Sequence, residues 1–137
     1  MTNYNSNTTS VIDTANDTVT ATVPVEGNPF GVAVTLDGTK VYVANFDSNT
    51  TSVIDTTTNT VTATVPVGNA PCCVAVIPNE TKVYVANELS DTVSVIDTAN
   101  DTVTATVPVG NIPLTLGQFI GEPVTSNQLH NSHGGRK

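Results

Sequence analysis

Apolar and polar positions alternate with a period of two through most of this chain. In TVTATVPV, Val19, Ala21, Val23 and Val25 fall on one face of an extended strand, and Thr18, Thr20 and Thr22 fall on the other. The same alternation returns at 60–67 and 102–109. No stretch shows the i, i+3, i+4 spacing of a helix, and the dominant residues are Val, Thr, Gly and Pro, which favour strands and turns. The pattern predicts an all-β chain of about eleven strands with no helix longer than a turn.

The pattern is also periodic on a longer scale. Asp13, Asp55 and Asp97 are 42 residues apart, as are Pro24, Pro66 and Pro108. Residues 6–47 match 48–89 at 28 of 42 positions, and 90–113 match 6–29 at 19 of 24. Periods of roughly 40–45 residues belong to helical pairs or to four-stranded propeller blades, and the strand propensity here selects the blade. Each unit divides into four strands, A to D. Strand A is GVAV or CVAV, strand B is KVYVAN, strand C is TSVID or VSVID, and strand D is TVTATVPV. Pro24 has no ladder N–H, which places D on the outer edge and the short, least polar A innermost. Between A and B, Asp37–Gly38 signals a tight hairpin. The second unit has Glu80 in the glycine slot, so a different turn is expected there, with Asn79 in the left-handed conformation.

The stretch KVYVANFDSNTTSVIDTTTNTVTATVPVGNAPCCVAV resembles the YVTN repeat, whose tetrapeptide reads YVAN at Tyr42–Asn45 and Tyr84–Asn87. The resemblance covers residues 2–121 and implies blades of a β-propeller, as in archaeal surface-layer and bacterial cell-surface proteins. It implies about seven copies, against fewer than three here, and it brings no catalytic motif and no cofactor. The expected layout is a partial blade over 1–25, blades over about 28–67 and 70–109, a final A strand at 112–120 (near Leu114–Phe119), and a disordered tail over 122–137. Deletion of that tail is expected to leave stability within about 0.5 kcal/mol.

Charge narrows the partners. Twelve acidic and four basic residues give a net charge of −8, and two of the bases, Arg136 and Lys137, lie in the tail. Phosphate contacts need lysine and arginine, so nucleic acid is not an expected partner, and no apolar run is long enough for membrane insertion. The opening MTNYNSNTTS lacks the regions of a signal peptide. The resemblance therefore implies a cell-surface or extracellular location, whereas the chain as written, if complete, is expected in the cytoplasm.

Candidate chemistry is sparse. The chain has no GxSxG, HExxH or phosphate loop, and its two histidines, His130 and His133, form an H-x2-H pair in a polar tail that reads as loose chain rather than a metal site. Asp13, Asp55 and Asp97 recur once per blade, a spacing that favours turn capping over a shared calcium site. The dipeptide Cys72–Cys73 is read as two reduced thiols, because adjacent Cα atoms are too close for an ordinary disulfide. The loops ahead of strand A read VEGNPFG, VGNAPCC and VGNIPLT and offer one carboxylate, Glu26. Phe30, Cys72, Cys73 and Leu114 are the candidate partner-facing positions.

The expected function is therefore a non-enzymatic interaction scaffold with an unnamed protein or glycan partner. The alternative is a fragment of a propeller enzyme of the lactonase or dehydrogenase type. A propeller closes with about four to eight blades. A chain of three would leave two bare faces of roughly 300 Å² each, on the order of 8 kcal/mol of unrealised burial per face. Two copies related by a two-fold axis would form a six-bladed ring, and a homodimer is expected on that ground.

Overall fold

The computed structural model describes residues 1–115 and 120, and it is built from strands, turns and loops. Strands β1 (Thr2–Asn3), β2 (Thr8–Asp13) and β3 (Thr18–Pro24) form a first sheet. A second contains β4 (Pro29–Val34), β5 (Lys40–Asn45), β6 (Thr50–Asp55) and β7 (Thr60–Pro66). The third contains β8 (Pro71–Val76), β9 (Lys82–Asn87), β10 (Thr92–Asp97) and β11 (Thr102–Pro108). All neighbours are antiparallel and follow chain order, so each sheet is a meander with strand A at one edge and strand D at the other. The first sheet holds C, D and a two-residue remnant of B.

The proline of each D strand sits on a free edge, where its missing N–H costs no ladder bond. Each C–D pair also carries a bulge. The register passes from Val11↔Ala21 to Ile12↔Val19, leaving Thr20 unpaired, and the same shift recurs at Val53/Ile54 and Val95/Ile96. The extra threonine turns its hydroxyl back to the C strand: Thr20, Thr62 and Thr104 donate to the carbonyls of Val11, Val53 and Val95 at 3.4 Å.

The asparagine that ends strand B fixes the B–C hairpin. Asn45 Nδ2 donates to Thr50 Oγ1 (3.0 Å) and Ser52 Oγ (2.8 Å), and Asn87 makes the same pair with Thr92 and Ser94. Asn3 does so with Thr8 and Ser10. This buried network accounts for the fixed Asn and the Ser/Thr of strand C in every unit.

The aspartates that end strand C act as turn caps. Asp13, Asp55 and Asp97 each accept the backbone N–H two residues on, at 2.7–2.8 Å. The A–B turn departs from the sequence expectation. Glu80, not Asn79, takes the positive φ of 64°, close to the 75° of Gly38. Both turns close with the same bond, Gly38 N–H to Thr35 O and Glu80 N–H to Ile77 O, each at 2.9 Å. Asn79 Oδ1 accepts the N–H and hydroxyl of Thr81 as Asp37 does for Thr39, so the two turns share one geometry. The left-handed residue is therefore the one in the place of Gly38, which is Glu80. Hydrogen bonds from the Thr39 amide and from the Thr35 and Thr39 hydroxyls hold the Asp37 carboxyl below its ordinary range.

Sheets are joined through their faces. Tyr42, Ala44, Val53 and Val65 of the second sheet pack against Val74, Val76, Val83, Val85 and Ile96 of the third. Val43 and Ile54, on the opposite face of the second sheet, pack against Val23 of the first, with Val11 and Val25 alongside. Strand β5 is buried on both sides because it lies between two such layers. The core is thus between blades rather than within one.

Polar staples with a 21-residue offset tie each blade to the next. Asn7 Oδ1 accepts the N–H of Asn28, Asn49 Oδ1 that of Ala70, and Asp91 Oδ1 that of Ile112, at 2.8–2.9 Å. All six residues have φ between 53° and 56°. Asparagine tolerates this region, but a β-branched side chain does so only under strain. Ile112 is exposed and its side chain makes no core contact. Ile112→Asn is therefore expected to raise stability by about 1 kcal/mol, read from the denaturant midpoint at unchanged slope.

The expected last A strand, 112–120, is described only in part. Residues 113–115 run beside Cys72–Cys73 without strand pairing, residues 116–119 lie outside the described residues, and so does the tail expected over 122–137. No helix among the described residues is long and apolar enough to cross a membrane.

Candidate functional site

The inner strands bring together the four positions singled out from the sequence. They occupy equivalent places: Phe30, Cys72 and Leu114 in successive units, each followed by Gly31, Cys73 and Thr115. Phe30 is exposed on β4 and sits between two rings. It meets Tyr4 edge-on and Phe46 at a tilt, each with centroids 6.1 Å apart. Leu114 is exposed. Cys72 and Cys73 are buried free thiols and present no surface to a partner, because Ala86 and Phe46 pack on them and residues 113–115 lie beside them.

The thiols are held by backbone. Cys73 donates to Thr115 O at 3.1 Å and accepts the Thr115 N–H at 3.4 Å. Cys72 Sγ lies 3.7 Å from both Ala86 O and Pro113 O, one of which can take its proton at a time. Burial pushes the Cys72 thiol well above its ordinary range, with the hydrogen bond and charge of Cys73 and the charge of Glu88 adding to it. A thiol held protonated is a poor nucleophile and a poor metal ligand. In the folded chain both cysteines are expected to react with an aromatic disulfide reagent far more slowly than in denaturant. Equal rates, followed by absorbance, would contradict this packing.

Gly31 marks a close approach of the inner strands. A Cβ there would overlap the Cys72 carbonyl oxygen and lie 3.1 Å from Cys73 Cα. One unit further on, the gap is wide enough to hold the Cys73 sulfur against Thr115.

At the opposite ends of the strands, a polar clasp joins the second and third blades. Asp101, in the C–D turn, accepts the Tyr42 hydroxyl at 2.8 Å and forms an ion pair with Lys40 Nζ at 3.1 Å. Lys40 also donates to Thr98 O at 2.7 Å. Tyr42 is fully buried, and burial together with the Asp101 carboxylate pushes its hydroxyl above its ordinary range. The sequence reading missed this clasp. Its signal was the third unit's Asp101 against Asn59 in the second.

A shallow groove of about 340 Å³ opens between the second and third blades, lined by Phe46, Asp47, Asn49, Asn69, Ala70 and Leu89. Its Asn49 oxygen is already engaged by the Ala70 N–H. Among the described residues no three His, Cys, Asp or Glu side chains cluster to hold a metal ion.

Meandering four-stranded sheets packed face to face, with A strands inside and D strands outside, define a segment of a β-propeller. Residues 30–117 match the YNCE-like beta-propeller family, and the chain belongs to it. The match bears out a β-propeller family, but it is to the YNCE-like model and not to the YVTN surface-layer group that the YVAN tetrapeptides suggested. A comparison with curated proteins returns no match. Among solved structures, the chain is similar to the hydrazine synthase of Kuenenia stuttgartiensis, with 27% identity and a TM-score of 0.78, covering 81% of this chain and 32% of that one. It also resembles a dihydro-heme d1 dehydrogenase, NirN, with 21% identity and a TM-score of 0.70, covering 79% of this chain and 23% of that one. A third similar structure is AztD from Citrobacter koseri, with 19% identity and a TM-score of 0.67, covering 80% and 31%. The chain spans a third or less of the length of each.

These likenesses correct one expectation. The sequence reading, finding no catalytic motif, took the chain not to be an enzyme. The solved protein that is 27% identical to this chain over the matched part is an enzyme, and the second is a dehydrogenase built on the same fold. Motif absence failed as an argument because the repeat builds the wall of a propeller, and residues that do chemistry in such a protein need not lie in the wall.

Proposed function

We propose that this chain supplies blades to the propeller domain of an enzyme, of the dehydrogenase or lactonase type. The observation that carries this reading is the likeness to hydrazine synthase over four fifths of the chain. In this role the blades are a rigid support. The interblade core and the staples fix the inner strands, and the exposed Phe30 and Leu114 at those strands border the space where substrate is held. The described side chains add shape and apolar surface there, and the reactive groups come from elsewhere in the assembled protein.

The test is turnover by the assembled protein that carries these blades, purified with the parts it associates with. The substrates are a panel of alcohols and aldehydes with a dye as electron acceptor, and a panel of lactones followed by acid release. The expected result is turnover above a heat-denatured control that falls at least tenfold in Phe30→Asp, with the melting temperature retained. Background rates across both panels, or turnover indifferent to Phe30→Asp, would contradict the reading.

A further inference from the structure

We infer that the two open blade faces bind a second copy of this chain, with Lys82 and Tyr84 of one copy clasping Asp17 of the other. This goes beyond the proposed enzymatic role and does not depend on it. The first observation is that each open face repeats a face that is already buried inside the chain. On the first blade, Ile12 is 46% exposed, whereas its equivalents Ile54 and Ile96 are 2% and 0% exposed. On the third blade, Val107 is 43% exposed, whereas Val65 at the same place in the second blade is 4% exposed. The interface that would cover both is the one that already joins the second and third blades.

The second observation is charge. Lys40 and Tyr42 of β5 meet Asp101 of the next blade. Lys82 and Tyr84 hold the same two places in β9, paired in the same register with β10, and face the open side. Among the described residues neither side chain has a polar partner. The place of Asp101 is taken by Asn59 in the second blade and by Asp17 in the first. Asp17 and Asp101 share one turn conformation, with φ of 57° and 55° and the same 2.8 Å bond from their N–H to the carbonyl four residues back. The carboxylate side chain of Asp17 likewise has no partner among the described residues. The carboxylates thus stand where a Lys–Tyr pair either meets them or can be brought to them by the third blade of another copy.

Residues 113–115 add a third point of fit. They lie beside β8 as β8 lies beside β4, in the place of a third inner strand. In a second copy placed by the interblade relation, Pro113 would fall opposite Asn3, as Pro29 does opposite Asn45 and Pro71 opposite Asn87. The strand missing beside β1 is then supplied by the partner. Each contact is head to tail, and two copies close a ring of six blades.

The full chain is expected to elute as a folded species of twice the chain mass in size exclusion with light scattering, dissociating on dilution. Asp17→Lys and Lys82→Asp should each raise the dissociation constant at least tenfold. Mixing the two variants should restore it, because one interface of the mixed ring regains the native pair and the other a reversed one. Asn59→Asp, inside the chain, should leave it unchanged. A folded monomer, soluble aggregate in place of a dimer, or single charge reversals that neither weaken association nor rescue each other would overturn the inference.

Discussion

Gly31→Val is expected to destabilise the chain by about 3 kcal/mol, lowering the melting temperature by roughly 10 °C. The added Cβ has no flexible side chain to displace: its nearest neighbours are the Cys72 carbonyl and Cys73 Cα, both backbone of the adjacent inner strand. Relief requires β4 and β8 to separate, and their spacing is set by the whole interface formed by Tyr42, Val53, Val74 and Val85. Calorimetry on the variant measures the shift. A loss below about 1 kcal/mol, the scale of an ordinary surface change, would mean that the inner strands do not approach as described.

Tyr42→Ala is expected to cost more, about 4 kcal/mol, within the range for emptying a large aromatic side chain from a core. Tyr42→Phe keeps the ring and deletes the hydroxyl that donates to Asp101, so it should cost about 1.5 kcal/mol, as for a hydrogen bond to a charged group. The Phe variant should lose most of its penalty when Asp101 is already Ala, because the two side chains form one network with Lys40. A denaturant series on the four proteins gives the coupling. Additive losses would show that ring and clasp act separately.

Much of the fold could be read from the sequence because the repeat states each rule more than once. Period-two alternation gave the strands, Pro24, Pro66 and Pro108 gave the outer edge, and the recurring aspartates gave the turn caps. The errors arose where a local rule met a second demand. Glu80 takes the left-handed conformation because its turn keeps the geometry and closing bond of the Asp37–Gly38 turn, with Glu80 in the glycine place. Cys72 and Cys73 read as partner-facing together with Phe30 and Leu114, yet they are buried, because the following 113–115 segment lies beside them. The clasp was invisible for a different reason. Lys40 and Asp101 are 61 residues apart, and only the stacking of blades brings them together. The enzymatic likeness could not be read from motifs at all, since wall-forming repeats carry none.

The most direct test of the account is amide hydrogen exchange by nuclear magnetic resonance on the full chain. Strands flanked on both edges and covered on both faces should exchange slowest, so Tyr42–Asn45 of β5 should persist longest, with Val83 and Val85 of β9 close behind. Protection should fall outward to the free edges of β3, β7 and β11. Uniform or absent protection across β5 and β7, or slowest exchange in the D strands, would contradict a chain of blades packed face to face.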